Sequence, residues 1–307
     1  MRIVIIGGTG HVGGFLTPAL VEDGHEVTVV SRGQRPAPPG GAWESVRHVE
    51  ATYGDDEFAD LIRDLRPDAL VDMLGVDVPG LYAALRQWGG HLVACGSVWM
   101  YGVPRVVPTP EQAQGPCESK GYARRYAELQ QVQEQARRDG ALFTAIMPPN
   151  ICGPGKIPLE GMGGRSIEVH RAHARGEELP LPAPGSTLIG PCDAEDVAQG
   201  FRLAIANPDA AAGEILNVGS AYALTAEQFV RTYGGIYGVE IPMRWVSWQE
   251  YAEEISPSPG ANFHFRANMC PDTAKISSRL GYSPRYTPEH SMSRAVEWMR
   301  EQGLLDQ

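Results

Sequence analysis

Ile3-Val-Ile-Ile-Gly-Gly-Thr-Gly-His-Val-Gly-Gly14, with Val27-Thr-Val-Val-Ser-Arg32 beyond it, is the stretch on which the fold of this chain turns. Ile3–Ile6 is short, apolar and β-branched, the pattern of a strand buried on both faces. Gly8, Gly10 and Gly13 satisfy G-x-G-x-x-G, and Gly7, Gly10 and Gly13 satisfy G-x-x-G-x-x-G. Phe15, Leu16, Ala19 and Leu20 then recur at helical spacing until Gly24, and Val27–Val30 is a second buried strand. In a strand–turn–helix–strand unit these glycines serve a tight turn, a close approach of backbone to a pyrophosphate, and close helix–strand packing. The helix start offers free N–H groups to an anion. The unit is expected to bind a dinucleotide through Gly7, Gly8, Thr9, Gly10, His11, Val12 and Gly13; the alternative is a tight structural turn in a nucleotide-free domain.

The end of the second strand bears on which dinucleotide. A site for NAD usually carries Asp or Glu there, to accept the ribose hydroxyls. Here Val30 is followed by Ser31 and Arg32, with Arg35 close behind. A guanidinium pairs with a 2′-phosphate through charge-assisted hydrogen bonds. NADP is therefore favoured and NAD stays possible; the other role open to Arg32 is to stack on the adenine.

The rest of the chain repeats the alternation. Strands are expected at Val46–Glu50, Ala69–Met73, His91–Cys95, Phe143–Met147 and Ile215–Val218. Helices are expected at Asp55–Leu65, Val78–Trp88, Gly121–Asp139, Ile167–Arg175, Asp193–Ala206, Thr225–Tyr237 and Pro288–Gly303. Alternation of this kind implies a doubly wound parallel sheet with helices on both faces. Proline- and glycine-rich loops cover 33–45, 102–118 and 148–165. The expected division is a dinucleotide-binding part, 1–152 with 188–219 returning to it, and a smaller substrate-binding part from 153–187 and 220–307.

Composition narrows the partners. The 307 residues carry a formal net charge of −11 with no basic block, which argues against nucleic acid or an anionic membrane. No apolar run approaches the ~20 residues that span a bilayer. Five scattered cysteines include no C-x-x-C pair, so neither a disulfide framework nor a metal site is expected. With a strand starting at residue 2 or 3, the chain is expected to be cytoplasmic.

Seven stretches in order resemble the extended short-chain dehydrogenase/reductase family, in its NAD-dependent epimerase/dehydratase branch. They are the glycine turn, Cys95-Gly-Ser-Val-Trp-Met-Tyr-Gly102, Tyr122 placed 25 residues after Ser97, Met147-Pro-Pro-Asn-Ile-Cys-Gly-Pro-Gly155, Asp193-Ala-Glu-Asp-Val-Ala198, Asn217-Val-Gly219, and Asp272-Thr-Ala-Lys275 with Leu280-Gly-Tyr282. The resemblance implies a Rossmann fold, a small sugar, polyol or carbonyl substrate, and a homodimer through long helices such as Tyr122–Asp139. It implies that Pro148 and Asn150 join the cofactor set. It also implies that Ser97 hydrogen-bonds the reacting oxygen while Tyr122 exchanges a proton with it as hydride moves to or from the nicotinamide.

One expected feature fails. The family's Tyr-x-x-x-Lys reads Tyr122-Ala-Arg-Arg-Tyr126 here, and the chain's three lysines, Lys120, Lys156 and Lys275, follow Pro116, Cys152 and Pro271 by four. A tyrosine at its ordinary pKa of ~10 is only about 0.1% ionised at pH 7, so Tyr126 brings no charge. Tyr126 remains the expected occupant of the position, hydrogen-bonding a ribose hydroxyl, with Arg125 or Lys120 as other sources of charge. The gap opens a second reading: a redox-silent isomerase, lyase or cyclase, or a dinucleotide-sensing protein without turnover. The segment Ser186-Thr-Leu-Ile-Gly-Pro191 lacks the arginine that many nucleotide-sugar members place on a diphosphate. His11 is read as a helix cap or a solvated side chain. His170 and His173 lie i, i+3 without a carboxylate motif. Trp99 and Tyr101 are read as packing or pocket wall, Asp193 and Asp196 as charges at a helix start, and Cys152 as inert.

Overall fold

A computed structural model describes residues 1–54 and 56–306. In chain order the first half runs β1 (Arg2–Ile6), α1 (Gly13–Glu22), β2 (Glu26–Ser31), β3 (Arg47–Glu50), α2 (Asp56–Leu65), β4 (Ala69–Asp72), α3 (Val78–Leu85), β5 (His91–Cys95), α4 (Lys120–Asp139) and β6 (Phe143–Met147). The second half adds β7 (Asn150–Cys152), α5 (Ile167–Ala174), β8 (Leu179–Pro182), β9 (Leu188–Ile189), β10 (Pro191–Asp193), α6 (Ala194–Ala206), α7 (Pro208–Ala211) and β11 (Glu214–Asn217). It closes with β12 (Leu224–Thr225), α8 (Ala226–Tyr237), β13 (Met243–Val246), α9 (Trp248–Glu250), α10 (Pro259–Arg266), α11 (Ala274–Leu280) and α12 (Pro288–Glu301). The expected elements are present with ends shifted by a few residues. The helix expected to reach Trp88 stops at Leu85, and Asp55, expected to start α2, lies outside the described residues.

Seven strands form one parallel sheet in the order β11-β6-β5-β4-β1-β2-β3, so the expected doubly wound architecture is present. Side chains alternate between its faces. Ile3, Ile5, Val27, Val29, Val71 and Val93 meet α1 and α6 through Leu16, Leu20, Val197 and Phe201. Val4, Ile6, Val30, Leu70, Leu92 and Ala94 meet α2, α3 and α4 through Phe58, Ile62, Leu81, Leu129 and Val132. The strand order reverses at β1, between β2 and β4, and such a reversal opens a crevice at the strand C-termini.

A third core, around Leu181, Phe229, Val230, Tyr233, Met292 and Val296, belongs to the second half. It is knitted by short pairings: β7 with β10, β9 with β12, and β8 with β13. Two parts of the expected division differ. β9, expected with the large sheet, pairs antiparallel with β12 instead. Residues 274–282, expected in the smaller part, return to the first core, where Ile276, Leu280 and Tyr282 pack. The reason is chemical: Lys275 donates to the Ile215 carbonyl at 2.8 Å and Tyr282 Oη to that of Gly219 at 2.9 Å, tying this segment to β11. No helix of the described residues is long and apolar enough to cross a membrane.

Candidate active site

The crevice begins at the glycine turn. Gly10 N donates to Gly7 O at 2.9 Å and Gly14 N to Gly10 O at 2.8 Å, which closes the turn into α1. A Cβ at Gly13 would collide with the Gly8 backbone, so the helix approaches the strand this closely only with glycine there. Beside the turn lies a cavity of 590 Å³ lined by Gly7, Thr9 and Gly10, by Ser31, Arg32 and Arg35, and by Tyr53, Phe58, Leu74 and Val76. The sequence-expected turn and the Arg32–Arg35 end thus share one wall. Leu74 and Val76 are 46% and 52% exposed, apolar side chains that a flat aromatic base would cover.

His11 is neither a cap nor fully solvated. Its Nε2 lies 3.3 Å from Gly153 O, so it fastens the turn to the loop that follows β7. Burial, reinforced by Arg165 and Lys156, pushes its pKa down to about 4, so the imidazole is neutral at pH 7. The reason is topological: β10 pairs with β7 and ends in Asp193, against which Gly153 packs, bringing that loop over α1.

At the end of β5, Ser97 opens a 3₁₀ turn, Val98–Tyr101, and its Oγ accepts from Trp99 N at 3.3 Å. Across from it α4 starts with Ser119 as N-cap, its Oγ accepting from Tyr122 N at 3.3 Å. Trp99 and Tyr122 line a second cavity, of 380 Å³, together with Gly102, Cys117, Glu118, Ser119, Pro259, Gly260, Phe263 and His264. Pro148 is buried behind this wall and accepts from Val98 N at 3.1 Å. Asn150, 7% exposed, accepts from Trp99 Nε1 at 3.4 Å.

The position that should hold a lysine is occupied differently from expectation. Tyr126 is only 6% exposed, packs edge-to-face on Tyr101 at 5.2 Å, and turns its hydroxyl to the backbone of Ala113, away from the crevice. Burial raises its pKa further above the ordinary value. An apolar ring at this point of α4 is drawn into the core with Leu129 and Val132. Arg125 takes the crevice side instead. Its Nη2 donates to Leu74 O at 2.8 Å, and Leu74 lines the 590 Å³ cavity. Gly75, with φ of +60°, leaves the space: a Cβ there would collide with the guanidinium. Nearby, Asp72 is wholly buried, accepts from Leu74 N and Gly75 N at 2.9 Å and from Tyr53 Oη at 3.0 Å, and has its pKa raised by burial.

The other residues singled out in the sequence have structural roles. Tyr101 donates to Asn217 Oδ1 at 2.9 Å inside the core. Asp193 caps α6 and lies 2.9 Å from Arg294, and Asp196 accepts from Arg285 N at 2.8 Å. His170 lies 3.1 Å from Tyr237 Oη and 3.2 Å from Pro158 O, while His173 Nε2 accepts from Gly161 N at 3.1 Å. Cys152 is buried, and burial pushes its thiol pKa up to about 12. Phe263 and His264 come from the expected substrate-binding stretch 220–307, in which the sequence singles out neither. Their signal was two adjacent rings just after Pro259-Gly260, with no motif around them.

Comparison with known proteins places this geometry. The family model described as NAD dependent epimerase/dehydratase matches residues 3–84 and 78–219. A UDP-glucose 4-epimerase of Corynebacterium glutamicum is 24% identical over 94% of this chain and 92% of its own length. A 2′-dehydrokanamycin reductase of Streptomyces kanamyceticus is 25% identical over 99% of this chain and 86% of its own. The crystal structure of a Thermotoga maritima UDP-glucose 4-epimerase with UDP-glucose superposes with a TM-score of 0.76 at 21% identity, covering 98% of this chain and 99% of that one. At that identity the superposition shows the fold alone.

Proposed function

The chain belongs to the NAD-dependent epimerase/dehydratase family of extended short-chain dehydrogenases/reductases, and on that premise we propose that it is an NADP-dependent reductase or epimerase of a small sugar, polyol or carbonyl compound. The observation that carries this reading is the line of groups along the strand ends. The glycine turn and the Arg32–Arg35 end line the first cavity and Tyr122 the second, and Ser97 opens the turn that carries Trp99 of that second wall. The residues of the first cavity suit NADP: the turn's N–H groups and the α1 start would hold its diphosphate, and Arg32 and Arg35 its 2′-phosphate. Bound there, it supplies or accepts the hydride.

The chain's own residues then do the rest. Ser97 Oγ hydrogen-bonds the substrate oxygen, and Tyr122 Oη hands that oxygen a proton as the carbonyl becomes a carbinol, or takes it back in the reverse step. Arg125 fills the lysine's office by a different route. It brings a fixed positive charge to the Leu74 edge of the cofactor cavity from the residue one short of the usual position. A neutral tyrosine that donates suits carbonyl reduction better than alcohol oxidation. That direction agrees with the reductase named above, which covers nearly all of this chain.

The test is NADPH oxidation against a carbonyl panel by wild type, Arg125→Met, Arg125→Lys and Tyr126→Phe. Arg125→Met should lower kcat about 10–100-fold, the loss of one charged hydrogen bond of ~1.5–3 kcal/mol. Arg125→Lys should recover part of it, and Tyr126→Phe should stay near wild type. Tight NADPH binding with no turnover of any panel member would instead favour the redox-silent reading.

A further inference from the structure

The 380 Å³ cavity says more about the substrate than the fold does, given the reading that Tyr122 works at its wall. Small-molecule pockets begin at about 300 Å³, so this one admits a single ring with substituents. Its walls are aromatic: Trp99 meets Phe263 edge-to-face at 4.8 Å and His264 at 5.3 Å. Such faces cover the C–H side of a saturated ring.

Charge is the deciding feature. No lysine or arginine lines the cavity, and its one charged lining group is a carboxylate, Glu118. Arg266 pairs with Glu118 at 2.6 Å and lies over the Phe263 ring at 5.1 Å, so that carboxylate is already neutralised. The other arginines of this half are engaged elsewhere. Arg165 donates to Ile157 O at 2.7 Å and Ile151 O at 3.0 Å, and Arg294 lies 2.9 Å from Asp193 and 3.0 Å from Glu195. A diphosphate entering here would lose its water and find Arg266 and Arg165 already held, by Glu118 and by backbone carbonyls.

The uncharged polar groups point the other way. His264 lines the cavity, and among the described residues its Nδ1 is buried without a partner; Asn150 Nδ2, also unpartnered, lies outside the lining on a side chain bonded to Trp99. Buried polar atoms without partners are rare, and those at a pocket are the natural partners of a ligand. The His264 imidazole is kept neutral by burial and by Arg165, its pKa pushed down to about 4, so it can accept as well as donate. Hydroxyl groups match such a pair.

We propose that the group bound beside Tyr122 is a polyhydroxylated ring, plain or amino-substituted, that carries no diphosphate, and that His264 selects it. The nucleotide-sugar epimerases that resemble this chain act on diphosphate-bearing substrates by name; this cavity departs from that chemistry.

The test uses the full chain saturated with NADP, so that nothing nucleotide-like enters the first cavity. Saturation-transfer NMR with methyl glucoside, inositol and glucosamine should show binding, and UDP-glucose and UDP should neither bind nor compete. His264→Phe should weaken ring binding about tenfold, near one lost hydrogen bond with its desolvated partner, with melting temperature and NADPH affinity unchanged. Competition by UDP or UDP-glucose would overturn the proposal, as would failure of all three rings to bind. Ring binding together with no NADPH oxidation by any member of the carbonyl panel would sustain this inference and sink the reductase reading; NADPH-dependent turnover of a nucleotide sugar would do the reverse.

Discussion

The two cavities differ more in what they are made of than in size. The one at the switch point is built from backbone amides, a helix start and two arginines, Arg32 and Arg35, all within the first 76 residues. The one beside Tyr122 is built from rings gathered from Trp99 to His264, with a neutralised carboxylate as its charge. On the proposed reading the molecule would sort its ligands by phosphate: phosphates in the first cavity, a ring without phosphate in the second. Each end can then be broken without the other.

The largest expected effect is at Tyr122, in the wall of the second cavity. Tyr122→Phe should cut kcat by ~10²–10⁴-fold, the usual range for loss of a positioned acid, while NADPH affinity measured by fluorescence stays within a factor of two or so. A comparable loss of cofactor affinity would mean that Tyr122 belongs to the first cavity. Next, Arg32→Ala should weaken NADPH by about 10–100-fold and NADH by much less, since one charge-assisted bond is worth ~1.5–3 kcal/mol. Equal losses for both cofactors would assign Arg32 to the adenine.

A smaller effect tests the turn itself. Gly13→Ala drives a methyl into the Gly8 backbone and should cost about 1–3 kcal/mol of stability, read from urea unfolding, and lower the affinity for both cofactors alike. The last sharpens the contrast by pH. His170 and His173 are buried neutral in the second half, with pKa values lowered by burial to about 4 and about 3. The unfolded chain binds a proton at each below pH ~6.5 and the folded chain does not, so stability rises with pH through that window and falls on acidification. Each site contributes up to about 2 kcal/mol of that loss by pH 5. His170→Gln should flatten the pH dependence of unfolding by about that amount; an unchanged slope would show that His170 does not stay neutral.

How legible was all this in the sequence? Strand and turn chemistry is local: four β-branched residues and a glycine triplet announce themselves within 14 positions, and the parallel sheet and crevice follow. The choice between Arg125 and Tyr126 is not local. Both lie one turn from Tyr122, and the helix alone allows either toward the cofactor. The Tyr101 ring and the vacancy at Gly75, on other strands' ends, decide it. The second cavity is further still from the sequence, because Phe263 and His264 meet Trp99 across more than 160 residues of chain. His11 shows the same limit in miniature: its partner, Gly153, lies 142 residues away.

The return of residues 274–282 to β11 gives the molecule the mechanics of an arch rather than of two beads on a string. The chain leaves the large sheet after β11 and comes back to it through Lys275 on Ile215 and Tyr282 on Gly219, so this span is footed along the same strand and its exit. Such a body cannot swing on a single linker. It can only flex between its footings, and opening and closing over a ring would then be a small deformation of the span, with the cofactor floor held still.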